Sequence, residues 1–192
     1  MTKSYTKRQI QIIHAAVELI AAGGMSALTM NQIASKINVT EPALYRHFKS
    51  KKEILLGVIK LLRHSRQISA TNEKSGWDLV ESSMQNRIAS FIEMPGLAAI
   101  IFSEEIFSGD NDLSLQIKAM MKETQERFIR VMQLAQQEGT IRPDLEAEQI
   151  ALMVIGSFRF LVTQWHLFEN NFDLAKRASA LFTDLRKLLL IR

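Results

Sequence analysis

The chain has 192 residues, 47% hydrophobic and 23% charged, with a formal net charge of +4 and no cysteine. That much apolar material excludes a disordered tail protein, and the missing thiols exclude a disulfide framework and a thiolate metal site, in keeping with a reducing cytoplasm. No basic-then-apolar leader opens the chain, and its longest apolar run, Ala151 to Val162, is too short for a bilayer and is broken by Arg159. A soluble cytoplasmic protein with no membrane contact is therefore expected.

The charge is unevenly spread. Residues 1–70 hold 11 Lys/Arg against 3 Asp/Glu, whereas residues 71–192 hold 13 against 17. One end is suited to meet a polyanion and the other is not.

In chain order, Thr6-x-x-Gln9 is a capping box. It opens a helix whose Ile10, Ile13, Val17 and Ile20 step along one face until Gly23-Gly24 stops it. Thr29 with Gln32 opens a second helix to about Ile37. After the turn Ile37-Asn38-Val39, Thr40 is expected to cap a third, very short helix, with Pro42 tolerated in its first turn. Ser50-x-x-Glu53 is another capping box and opens a fourth helix through about Gln67. Thr71 to Gly76 reads as a joint. Helices are then predicted near 77–93, 97–107, 112–138, 145–168 and 173–190. The fold class is all-α: a three-helix head over residues 1–50, a connecting helix over 51–70 and a larger helical body over 71–192.

Two short helices three residues apart, with Ile33, Ala34, Ile37, Val39 and Leu44 apolar, have helix-turn-helix spacing. Asn38 suits the left-handed position the turn needs. Ile10, Ile13, Val17 and Phe48 are expected to close the small core. A helix as short as the third cannot stand alone, so its Tyr45, Arg46 and His47 are held out for a purpose. Tyr45, His47 and Lys51 supply donors for phosphates, with Lys7, Arg8 and Lys49 adding charge. Thr40, Glu41, Pro42, Ala43 and Arg46 face base edges: Arg46 suits guanine, Glu41 cytosine and Ala43 a thymine methyl. The competing roles are a Tyr45 that roofs the small core and a lysine cluster that solvates a helix start.

The run Leu28-Thr29-Met30-x-x-Ile33-Ala34, then Val39-Thr40, then Ala43-Leu44-Tyr45-Arg46-His47-Phe48-Lys49-Ser50-Lys51 resembles the DNA-binding head of the TetR family of bacterial transcriptional regulators. Asn38 stands where that family usually has glycine, and Pro42 removes one possible base-contacting side chain. The resemblance implies that Thr29, Tyr45, His47 and Lys51 touch phosphates while residues 40–43 and Arg46 face bases. It implies a homodimer on double-stranded DNA, with half-sites about one helical turn or a multiple apart. It also implies dimer contacts from the last two helices, where Ala151, Ile155, Phe158, Val162, Trp165, Leu181, Leu185 and Leu188 recur at helical spacing.

The middle helices are rich in Met and Phe, a composition suited to an adaptable apolar cavity or to an ordinary helix core. The resemblance implies an effector site there, assigned to Met84, Phe91, Phe102, Met121, Phe128 and His166 and filled by a small apolar or amphipathic molecule. The function expected is a repressor relieved by that effector. The alternative is a nucleoid-associated DNA binder whose body meets a protein partner, as in division inhibitors resembling this family. No phosphate loop, nucleophile elbow or His-x-x-x-His pair is present, so no catalytic residue, metal site or cofactor is expected.

Overall fold

The computed structural model describes residues 5–64, 76–102 and 111–190, with the side chains of His64, Phe102 and Asn111 left out of that description. Nine α-helices lie among the described residues: α1 (Lys7–Gly23), α2 (Met30–Lys36), α3 (Glu41–Tyr45), α4 (Lys51–His64), α5 (Gly76–Glu93), α6 (Gly96–Phe102), α7 (Asn111–Gln137), α8 (Ala147–Leu167) and α9 (Leu174–Leu189). A 3₁₀ turn, Met25–Ala27, joins α1 to α2. The expected ends of the fourth helix and of the helix near 97–107, with most of the joint at 71–76, lie outside the described residues.

Contacts divide the chain into two compact units. Among the described residues, one gathers 5–64 with 94–102 and 111–117; the other gathers 76–93 with 118–190. In the first, α1 packs on α2, α4 and α6. Its buried stripe is Ile12, Ile13, Ala16, Val17 and Ile20, whereas Ile10 is 38% exposed. The expected membership of Ile10 in the core is therefore corrected to Ile12. Helix α1 is covered from more than one side, so its buried arc is shifted and widened beyond one three-four row. A tight approach of α6 to α1 occurs at Gly96, where a Cβ would meet the Val17 carbonyl oxygen at 2.7 Å.

In the second unit α9 packs on α5 and α8. Phe91 and Phe158 have ring centroids 6.2 Å apart, and Phe158 and Phe182 6.4 Å, joining the three helices through one aromatic row. Helix α8 extends the apolar run read from the sequence to 21 residues, long and apolar enough by length and composition to cross a membrane. Its Ile150, Ala151, Val154, Phe158, Leu161, Val162 and Trp165 are instead buried against protein.

Of the eight seam residues expected on α8 and α9, Ala151, Phe158, Val162 and Trp165 are interior. Ile155, Leu181 and Leu185 are half-buried, and Leu188 is 67% exposed. A separate apolar face of Leu152, Met153, Phe160 and Leu167 stands in solvent.

Candidate nucleic-acid interface

Local chemistry builds the helix-turn-helix. The Thr6 hydroxyl accepts from the Gln9 N–H while Gln9 Oε1 accepts from the Thr6 N–H, completing the capping box of α1. The Thr29 hydroxyl accepts from the Gln32 N–H at 3.1 Å and donates to Gln32 Oε1 at 3.2 Å. Asn38 adopts φ 54°, the left-handed turn position expected of it. The Val39 N–H then donates to the Ala34 carbonyl at 2.9 Å and turns the chain toward α3.

Thr40 occupies the N-cap of α3, but its hydroxyl makes no capping bond, correcting the expected side-chain cap. A capping hydroxyl accepts from the second or third helical N–H. Pro42 has no N–H, and the Ala43 N–H donates to the Thr40 carbonyl at 3.0 Å. The backbone thus closes this turn and leaves the exposed hydroxyl of Thr40 to other partners.

Helix α3 is seated by Leu44, 1% exposed, and by Phe48, 4% exposed, one turn later. The His47 and Phe48 N–H groups both donate to the Leu44 carbonyl, so the helical turn carries past Tyr45. With 44 and 48 turned inward, the residues between them must turn outward. Tyr45 is 46% exposed, and Arg46 and His47 are exposed with it. Tyr45 therefore does not roof the core. Pro42 is exposed and Glu41 and Ala43 are half-buried. One surface thus carries a phenol, a guanidinium, an imidazole, a carboxylate and the Thr40 hydroxyl.

Several ties brace that surface. Gln9 Nε2 donates to the His47 carbonyl at 3.3 Å. Lys36 pairs with Glu18 at 2.8 Å between α2 and α1. The Glu53 N–H donates to the Ser50 hydroxyl, while Glu53 Oε2 accepts from the Lys49 N–H at 2.7 Å. Tyr5 meets Phe48 in a tilted ring contact with centroids 6.2 Å apart, and the Lys60 ammonium lies 4.8 Å over the Tyr5 ring. Burial first, and Glu53 second, hold the Tyr5 phenol above its ordinary pKa. Lys51, half-buried, donates to the Met25 carbonyl at 3.1 Å. No sequence spacing signalled that bond, because its partners are 26 residues apart.

In the second unit, Met84, Phe91 and Phe128 are buried and His166 is half-buried, whereas Phe102 belongs to the first unit and its side chain lies outside the described residues. Met121 is 46% exposed while its neighbour Met120 is 3% exposed. One residue is about 100° of helix rotation, so Met120 takes the inward place and Met121 the outward one. Arg87 on α5 is a charged residue that no spacing in the sequence singles out. The structure buries it to 8% exposure with its guanidinium 5.8 Å over the Phe128 ring. Elsewhere in this unit an open apolar groove of about 260 Å³ runs between α5 and α9 over Ile88, Ala89, Ile92, Ala175, Ser179 and Phe182. It includes none of the six residues assigned to an effector site.

Against this geometry stand the similarities to known proteins. The family described as bacterial regulatory proteins, tetR family, matches residues 12–58, and the YsiA-like protein C-terminal region matches residues 58–189. The chain is 23% identical over 192 residues to the probable acrEF/envCD operon repressor of Escherichia coli (strain K12), covering 96% of this chain and 87% of that one. It is 26% identical over 155 residues to the nucleoid occlusion factor SlmA of Marinobacter nauticus, covering 79% of this chain and 77% of that one. The transcriptional regulator FadR from Bacillus subtilis, solved in complex with stearoyl-CoA, superposes with a TM-score of 0.77 at 22% identity over 92% of this chain and 96% of that one. At that identity the superposition establishes the shared fold.

Proposed function

Because the chain belongs to the TetR family of bacterial transcriptional regulators and is a DNA-binding regulator, we propose that it acts in the cytoplasm as a homodimeric repressor of a palindromic operator, relieved by a small effector. The observation that carries the DNA reading is the arrangement of α3. Two apolar residues hold a five-residue helix from beneath, while Tyr45, Arg46 and His47 stand exposed above them. Arg46, Thr40, Glu41, Pro42 and Ala43 face base edges. Thr29, Tyr45, His47 and Lys51 meet phosphates and set the register without reading sequence.

The exposed apolar residues of α8 with Leu188 of α9 support a second copy as the dimer partner. The effector reading rests on the buried Met84, Phe91 and Phe128 and on the buried guanidinium of Arg87, which together suit an amphipathic molecule. The FadR complex makes stearoyl-CoA the first probe to try. Relief requires a ligand that prefers the DNA-incompetent state; moving a 1:99 population to 99:1 takes roughly 5.5 kcal/mol of differential affinity.

The open groove between α5 and α9 favours one second reading, a nucleoid-associated DNA binder whose body takes a protein partner there.

Recovering bound fragments from a random DNA pool tests the proposal. The expected product is an inverted repeat with half-site centres about 10 base pairs or a multiple apart. Binding should weaken steeply between low and moderate salt. Failure to enrich any sequence would overturn the operator. Release of the enriched fragment by stearoyl-CoA would support effector relief, and an operator spread over many chromosomal sites with no response would favour the second reading.

A further inference from the structure

We propose that Lys51 is a positioning residue, one that ties the start of α4 to the α1–α2 turn and so sets the entry to α2 for DNA. The inference rests on the DNA reading above and adds to it a second role for a residue assigned there to phosphate.

The observation is one hydrogen bond and its surroundings. Lys51 Nζ donates to the Met25 carbonyl at 3.1 Å, in a part-buried setting. The same carbonyl accepts from the Leu28 N–H at 3.3 Å. Leu28 is fully buried, and the next residue is Thr29, the N-cap of α2. A chain of three contacts therefore joins the first residue of α4 to the residue that opens α2. The turn so held contains Gly24 at φ 67° and ψ −165°, a conformation that glycine alone adopts readily. Glycine costs most to order, so this turn needs an outside tie.

The chemistry of the ammonium suits both tasks. It carries three N–H donors on a four-carbon stem, and among the described residues its one hydrogen bond is to Met25. One donor fixes the ammonium, which leaves two N–H groups for a phosphate. A tethered ammonium loses less freedom on meeting a phosphate than one on a loose stem. A lysine acting only as a point charge would have no reason to be half-buried against a carbonyl.

Two measurements on the full-length chain test the inference, with Lys51→Met removing the donors and keeping the apolar stem. In the free protein, hydrogen exchange across residues 24–30 should quicken by about fivefold, the factor one ordinary hydrogen bond supplies, while residues 41–48 keep their protection. Lys51→Arg, which can still donate to Met25, should restore it. Unchanged exchange over 24–30 in Lys51→Met would overturn the tie, whatever the DNA result.

The second measurement is affinity for an enriched DNA fragment as salt rises. A purely electrostatic contribution fades as counterion release loses its drive, so for a phosphate contact alone the native and Lys51→Met affinities would converge. With a positioning role the ratio should level off at about threefold or more, and convergence to one would overturn it. Should the native chain bind no DNA at any salt, the operator reading fails, while the exchange measurement still decides the tie.

Discussion

Replacing Leu44 with alanine removes the one buried side chain of α3. Leu44 is 1% exposed, and Phe48 one turn later is the next apolar residue seating the segment. Deleting a leucine at full burial forfeits its transfer free energy and leaves a cavity, together costing about 2–5 kcal/mol. For a chain of this length each kcal/mol lowers the melting midpoint by about 2–4 °C, so the unit holding α1–α4 should melt about 4–20 °C lower, read by circular dichroism. A domain with about 5–15 kcal/mol of stability stays folded at 25 °C. The loss of DNA affinity then comes from loosened seating of Tyr45, Arg46 and His47 and should be similar for all sequences. Pro42→Ala, at an exposed position on the same helix, should change stability by about 0.5 kcal/mol or less. A midpoint shift below about 2 °C in Leu44→Ala would refute the claim that this side chain holds α3 against the core.

Arg46→Ala should relax base preference at one position per half-site by about 1–3 kcal/mol; an unchanged preference after re-selection from a random pool would reject the guanine contact. Gly96→Ala would place a Cβ 2.7 Å from the Val17 carbonyl oxygen, 2.8 Å from Val17 Cγ1 and 2.9 Å from Ala21 Cβ. Backbone on one side leaves little room to yield, so the cost should be about 1–3 kcal/mol, and an unaltered unfolding midpoint would contradict that contact. The raised pKa of Tyr5 comes from burial first and Glu53 second. The unfolded chain therefore loses this proton at lower pH than the fold does, and stability present below the ordinary tyrosine pKa is lost as pH rises through the folded value. Tyr5→Phe should lose less stability than the native chain in denaturant titrations above about pH 10, and parallel curves would show that the phenol is not shifted.

Much of the head was legible because its signals are local. Capping acts over three residues, so the capping box of Thr6 with Gln9 and the Thr29 hydroxyl on the Gln32 N–H announced the starts of α1 and α2. Asn38 announced the turn because few residues tolerate φ 54°. Even the failure at Thr40 was decided within three residues, since Pro42 has no N–H and the Ala43 N–H bonds to the Thr40 carbonyl instead of its hydroxyl. The outward display of Tyr45, Arg46 and His47 followed from apolar residues four apart at 44 and 48.

Periodicity and capping chemistry, which depend on neighbours a few residues away, were enough to determine an all-α chain, the order and approximate limits of its helices, and the surface of α3. Which arc of each helix is covered was left to tertiary structure, because that depends on segments remote along the chain. Only the folded chain buries Ile12 rather than Ile10 and Met120 rather than Met121. It alone packs α6 on α1 and brings Lys51 to Met25 and Arg87 over Phe128. A contact across 26 or 41 residues leaves no periodic trace in the sequence, since loop closure constrains distance along the chain only weakly.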